Sequence, residues 1–149
     1  MPEKSNRRRS EVSSGVTFNH AMVYVRALAP ALHFYVDLLG FKVIEQFPWP
    51  NSPVYARLRS ARGQSTIALH LVEPGRVLPE TDGVRLYFEV AQLDKLCRKL
   101  EAAGVKFLER PKTMPWGWKH AYLKDPDGHE LSLYWAGVRR FQSSSTYSG

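Results

Sequence analysis

The chain carries the same run of elements twice, and this duplication limits its fold more than any other feature. Gly40-Phe41-Lys42-Val43-Ile44-Glu45 recurs as Gly104-Val105-Lys106-Phe107-Leu108-Glu109, and His20-Ala21-Met22-Val23-Tyr24-Val25 aligns with Arg85-Leu86-Tyr87-Phe88-Glu89-Val90. In the first copy, alternation predicts a strand from Val16 to Val25. After Pro30, the helical spacing of Ala31, Leu32, Phe34, Tyr35, Leu38 and Leu39 predicts a helix that stops at Gly40. Strands are then expected over Phe41–Phe47, Val54–Ser60 and Thr66–Glu73. The second copy predicts a strand over Val84–Val90, a helix over Leu93–Ala103 stopped by Gly104, and a strand over Val105–Glu109. A loop over Pro111–Gly117 follows, and then two strands joined by the turn Asp125-Pro126-Asp127-Gly128. The expected class is α+β: two βαβββ repeats, residues 16–75 and 83–136, in one domain.

A single helix covers only one face of its sheet. The other faces must enclose something, so the repeats are expected to form a curled mixed sheet with helices on its outer face and a concave pocket within. Alternation supplies the residues lining that pocket. They are His20, Met22 and Tyr24 on the first strand, and Thr66, Ala68 and His70 on the fourth. The strand after Gly83 gives Arg85, Tyr87 and Glu89, and the last two strands give His120, Tyr122, Glu130, Ser132 and Tyr134. Their neighbours Val23, Val25, Ile67, Leu69, Leu86, Phe88, Leu131 and Leu133 are expected in the core. Trp116-Gly117-Trp118 forms either a lid with a glycine hinge or an aromatic plug at the sheet edge.

With 149 residues the chain can bury one proper core. The single cysteine, Cys97, excludes an internal disulfide and any cysteine-based zinc cluster. A net charge of +7 raises the question of nucleic acid. Part of that excess is Arg7-Arg8-Arg9, within a segment (residues 1–15) expected to be a disordered basic tail, as residues 137–149 are expected to be a Ser-rich one. No finger spacing or RNA-binding signature accompanies it, so no nucleic-acid partner is expected. The basic balance favours anionic ligands over cationic ones. No apolar run is long enough for a membrane span, and the N-terminus lacks the apolar core of a signal peptide, so a cytoplasmic protein is expected.

Within the repeat, His20 corresponds to Arg85, and His70 is expected to correspond to Ser132. Two imidazoles on neighbouring strands can hold a divalent metal with positions open to substrate, or they can simply hydrogen-bond in a wet cavity. Both readings stay open on the residues alone.

Three stretches carry a family resemblance: His20 opening a strand, His33-Phe34-Tyr35-Val36-Asp37-Leu38-Leu39-Gly40-Phe41, and Asp125-Pro126-Asp127-Gly128-His129-Glu130-Leu131. Over about residues 16 to 136 the chain resembles the vicinal oxygen chelate superfamily, which includes glyoxalase, bleomycin-resistance and extradiol dioxygenase proteins. The resemblance implies metal ligands on the first, fourth, fifth and eighth strands, here His20, His70, Arg85 and Ser132. The last two depart from the histidine and glutamate the family places there, and Glu130 is a weak substitute carboxylate. A zinc, nickel, manganese or iron site, or no metal at all, is compatible with that set.

Two functions follow from the resemblance. As an enzyme, a lyase, isomerase or dioxygenase, His20 and His70 would hold a metal or act as acid and base. Arg85 and His120 would then anchor an oxygen-rich anion, and Tyr122, or one of Tyr24, Tyr87 and Tyr134, would donate to developing charge. As a metal-free drug-binding or sequestering protein, the aromatic residues and Trp116 or Trp118 would sandwich a flat ligand. The family also suggests a homodimer.

Overall fold

A computed structural model describes residues 15–48, 53–78 and 83–137. The tails expected over 1–15 and 137–149 lie almost wholly outside them. The first module runs β1 (Ala21–Val25), α1 (Leu28–Leu32) continuing into a π-helical turn (His33–Leu38), β2 (Lys42–Phe47), β3 (Tyr55–Arg59) and β4 (Thr66–Leu71). The second runs β5 (Arg85–Glu89), α2 (Leu93–Ala102), β6 (Phe107–Thr113), β7 (Lys119–Lys124) and β8 (Glu130–Trp135). Each module is a four-stranded mixed sheet, ordered β1-β4-β3-β2 and β5-β8-β7-β6. In each, the first strand lies parallel to the last, and the other neighbours are antiparallel. The predicted α+β pair of βαβββ units is what the chain adopts.

Three local expectations are corrected. The first strand begins at Ala21, because its only neighbour, β4, begins at Thr66 and the register starts at Ala21 opposite Ile67. Residues before His20 run past the start of β4, and Val16 and Phe18 are exposed. The first helix is not a uniform α-helix. Leu39 N–H bonds to Phe34 O, five residues back, and this wider turn sends both Phe34 and Tyr35 into the core. Third, β6 continues through Pro111, where a loop is predicted. The strand is at the sheet edge and its register slips between Glu109 and Lys112, so an irregular edge accommodates a residue with no N–H.

One core runs through both modules. Val23, Val25, Phe34, Tyr35, Leu58 and Leu69 from the first meet Leu100, Leu123, Leu131 and Leu133 from the second. In α2 the buried residues Leu93, Cys97 and Leu100 fall on one face, and burial pushes the Cys97 thiol up to about 11, so it stays protonated.

The turn between β7 and β8 joins the two modules through polar contacts. The buried Asp125 carboxylate accepts the Tyr35 hydroxyl at 2.6 Å and His129 Nδ1 at 2.8 Å, while its other oxygen accepts the backbone N–H of Asp127 and of His129 at 2.9 Å each. Arg26 N–H donates to Asp127 Oδ1 at 2.7 Å. Gly128 closes the turn with a φ of 90°, a conformation that only glycine adopts cheaply. Burial alone would raise the Asp125 pKa, but the bonds from His129 and Tyr35 more than offset this and hold it low. The same bond raises His129.

The signs define a pH window. A raised His129 pKa gives stability that is full below its unfolded value, about 6.5, and lost as pH rises through the folded value. A depressed Asp125 gives stability present above about 4 and lost in acid. The difference in unfolding free energy between wild type and His129→Gln is therefore expected to be largest near pH 5–6 and to shrink toward pH 8–9, read from urea titrations across that range. A difference that grew with pH would contradict the assignment.

Candidate functional site

The faces of the two sheets away from the helices carry the predicted site residues. On the first module, His70 lies between Tyr24 and Tyr55, with ring centroids 5.9 and 6.4 Å away, and its Nδ1 bonds to Leu71 O at 2.6 Å. His20 lies at the far end of this face. Its Nδ1 bonds to Asn19 Oδ1 at 2.6 Å, and that oxygen also accepts from Arg57, which reaches Thr66 Oγ1 at 3.2 Å. Continuing the register puts His20 beside Thr66, four residues from His70 along β4. That is about 13 Å of strand.

The second module's open face is a continuous aromatic surface. His120 is central, only 5% exposed although it lies on the open side of β7. The rings of Trp118 and Tyr134 are stacked at 5.3 Å and 6°, Tyr134 and His120 at 5.4 Å and 20°, and His120 and Tyr122 at 5.8 Å and 14°. Trp116 and Tyr87 meet His120 edge-on at 5.7 and 6.3 Å. His120 Nδ1 bonds to Ser132 Oγ at 2.9 Å, and Ser132 is wholly buried. Burial, assisted by the nearby Arg85 charge, lowers the His120 pKa and keeps the ring neutral at pH 7. Arg85 lies over the Tyr122 ring at 4.8 Å, donates to Glu130 at 2.8 Å, and reaches Tyr87 Oη at 3.3 Å.

Strand register also revises the internal correspondence. Leu58 opposite Ile67 matches Leu123 opposite Leu131, and Tyr55 opposite His70 matches His120 opposite Tyr134. His70 is therefore equivalent to Tyr134, and Ser132 to Ala68, a two-residue shift from the correspondence read in the sequence.

The donor set does not fit a divalent cation. The four related positions are His20, Ala68, Arg85 and Ser132: one imidazole, one methyl, one guanidinium and one hydroxyl already bonded to His120. Glu130 is engaged by Arg85. Among the described residues, no group of three or more His, Cys, Asp or Glu could hold a metal ion. Calorimetric titration of the chelator-treated protein with zinc, nickel or manganese is expected to show no binding tighter than about 0.1 mM, the level of scattered surface ligands. A micromolar site lost in His20→Ala would contradict this.

Sequence reasoning missed Tyr55 and Arg57 on β3, although the alternation of Tyr55-Ala56-Arg57-Leu58-Arg59 marks them as open-face residues.

Residues 17–133 match the sequence signature of the Glyoxalase/Bleomycin resistance protein/Dioxygenase superfamily. The chain belongs to this superfamily. A superfamily member from Sphaerobacter thermophilus is similar at 28% identity and a TM-score of 0.65, over 80% of this chain and 98% of that one. A glyoxalase/bleomycin resistance protein from a Streptomyces species is similar at 25% and 0.59, over 78% and 98%. TioX from a Micromonospora species shares the fold at 18% and 0.65, over 80% and 98%. No curated protein matches the chain. Members of the glyoxalase superfamily often use divalent metals, so the Arg85 and Ala68 positions set this member apart at the place where metal chemistry would be supplied.

Proposed function

We propose that this superfamily member binds a small, flat, anionic or oxygen-rich aromatic molecule on the open face of its second module, without a metal. The observation that carries this is the stack of near-parallel rings, Trp118, Tyr134, His120 and Tyr122, with the Arg85 guanidinium fixed over its end. Ring planes within about 20° of one another favour an offset-stacked planar guest, and the guanidinium supplies the complement to a carboxylate or phenolate. A chain of net charge +7 attracts the same class of ligand from a distance.

The working unit is proposed to be a homodimer. Within one chain the modules meet through Tyr35 and Asp125, Phe41 and Phe88, and Lys99 with the carbonyls of Asp37 and Leu38, all away from the open faces. Met22, Tyr24, Tyr87 and Trp116 are left 39%, 41%, 53% and 46% exposed, an apolar surface that a second copy would cover. His20, Tyr24 and His70 of one copy would then roof the aromatic face of the other.

Tryptophan fluorescence during titration with naphthoate, a flat carboxylate, and with naphthylamine as its uncharged counterpart, tests the ligand class. Saturable quenching by naphthoate in the presence of EDTA, at least tenfold tighter than by naphthylamine, is expected. Equal or absent responses would contradict the proposal. Light scattering after size exclusion checks the dimer, with a mass near twice 17.0 kDa expected.

A further inference from the structure

Among the described residues, two buried nitrogens in the aromatic face have no hydrogen-bond partner, Trp118 Nε1 and His120 Nε2. They belong to rings whose centroids are 6.4 Å apart and whose planes differ by 16°. A buried polar nitrogen that has given up water without gaining a partner is unfavourable, so two in neighbouring stacked rings mark a place where a ligand's polar atom would be stabilised.

Whether His120 Nε2 is a donor depends on its tautomer, which follows from the direction of the Ser132 bond. Ser132 is wholly buried on β8, a strand paired on both sides, to β5 and to β7, so its neighbouring backbone carbonyls are engaged in the ladder. Among the described residues the partner given to its hydroxyl is His120 Nδ1. A serine O–H that donates to Nδ1 leaves that nitrogen unprotonated and puts the ring's one proton on Nε2. The groups facing this ring are Arg85, whose charge opposes protonation, Ser132, and the rings of Trp116, Trp118, Tyr87, Tyr122 and Tyr134. In that tautomer the neutral ring is a donor at Nε2.

We propose that Trp118 Nε1–H and His120 Nε2–H form a paired donor site for one oxygen of the ligand: a carbonyl, phenolate or carboxylate oxygen conjugated to a flat ring. This rests on the binding function proposed above and specifies which atom of the guest is recognised. Two donors with no acceptor between them select an oxygen rather than an amine, and their carrier rings hold the guest's plane parallel to the stack. Trp116 lies edge-on against His120 at the Met114–Trp118 turn, where Gly117 N–H bonds to Met114 O at 2.8 Å with a φ of 94°. Both nitrogens are without solvent-accessible surface as they stand, so a guest reaches them only with a side-chain rearrangement.

The test is nuclear magnetic resonance of uniformly nitrogen-15-labelled full-length protein titrated with naphthoate. The Trp118 indole signal, identified by its loss in Trp118→Phe, is expected to move downfield on binding. Long-range imidazole spectra are expected to show Nε2 protonated and Nδ1 bare, with Nε2 shifting on binding. Ser132→Ala removes the tautomer lock and is expected to weaken naphthoate about three- to tenfold while Arg85 still confers its preference for the acid over the amine. If naphthoate binds and keeps its Arg85 dependence while neither nitrogen signal moves, the donor pair is overturned and the general binding function stands. If naphthoate does not bind at all, both fall. A Nδ1-protonated tautomer, or free-protein cross-peaks from both N–H groups to a long-lived buried water that persist after binding, would also overturn the donor pair.

Discussion

Replacing Asp125 by Ala is expected to cost about 3–4 kcal/mol of unfolding free energy and roughly 10 °C of Tm. The carboxylate is fully buried and serves four donors at once: the Tyr35 hydroxyl, the His129 ring, and the backbone N–H groups of Asp127 and His129. Alanine leaves the Tyr35 hydroxyl without its charged acceptor in the interior, where a tyrosine is most costly to strand, and frees the turn that holds β7 to β8. Tyr35→Phe removes one partner cleanly and should cost about 1.5–2 kcal/mol, because no carboxylate is left wholly unsatisfied. Asp125→Asn, which keeps an oxygen for the backbone donors but loses the charge, should fall between the two. Urea unfolding followed by circular dichroism checks the series. A loss below 1 kcal/mol for Asp125→Ala would mean that the modules are held together by the apolar core alone.

Arg85→Ala is expected to weaken naphthoate binding about 10- to 30-fold while leaving naphthylamine within about twofold. The guanidinium is about 38% exposed, so solvent screens it, and this limits the effect to less than a fully buried charge pair would give. Its position is nevertheless set before any ligand arrives, by Glu130 at 2.8 Å, by Tyr87 and by the face of Tyr122. Arg85→Lys keeps the charge but not the fork or the stacking, and should recover only part of the affinity. The wild-type preference should fall as salt rises from 0.05 to 0.5 M, and that slope should flatten in Arg85→Ala. Fluorescence titrations at three salt concentrations check both. Equal losses for the acid and the amine would show that Arg85 acts only by supporting Tyr122.

The duplication was legible in the sequence because each copy repeats not one motif but a whole order of elements, and strand alternation correctly separated Leu131 and Leu133 from Ser132 and Tyr134. What alternation could not supply was register. The partner of each β4 residue is set by where β1 and β3 begin, and a two-residue slip in that reading put His70 where Ala68 belongs. The link between the two familiar stretches, Tyr35 and Asp125, was hidden for a related reason: residues 90 positions apart meet only because a π-helical turn rotates the tyrosine inward. The burial of His120 was equally invisible, since an open-face histidine reads as solvated until the rings of Trp116, Trp118, Tyr87 and Tyr134 are placed around it.

The central claim is that Arg85 and the ring stack of the second module anchor the guest, with a fixed guanidinium where relatives in the superfamily often use a metal. Backbone amide shifts induced by naphthoate in the presence of EDTA test it most directly. The account predicts shifts concentrated on β5, β7 and β8, around Arg85, Trp118, His120 and Ser132, unchanged when EDTA is replaced by excess zinc. Shifts that leave Arg85, Trp118 and His120 unmoved, or shifts that develop only once zinc is supplied, would contradict it.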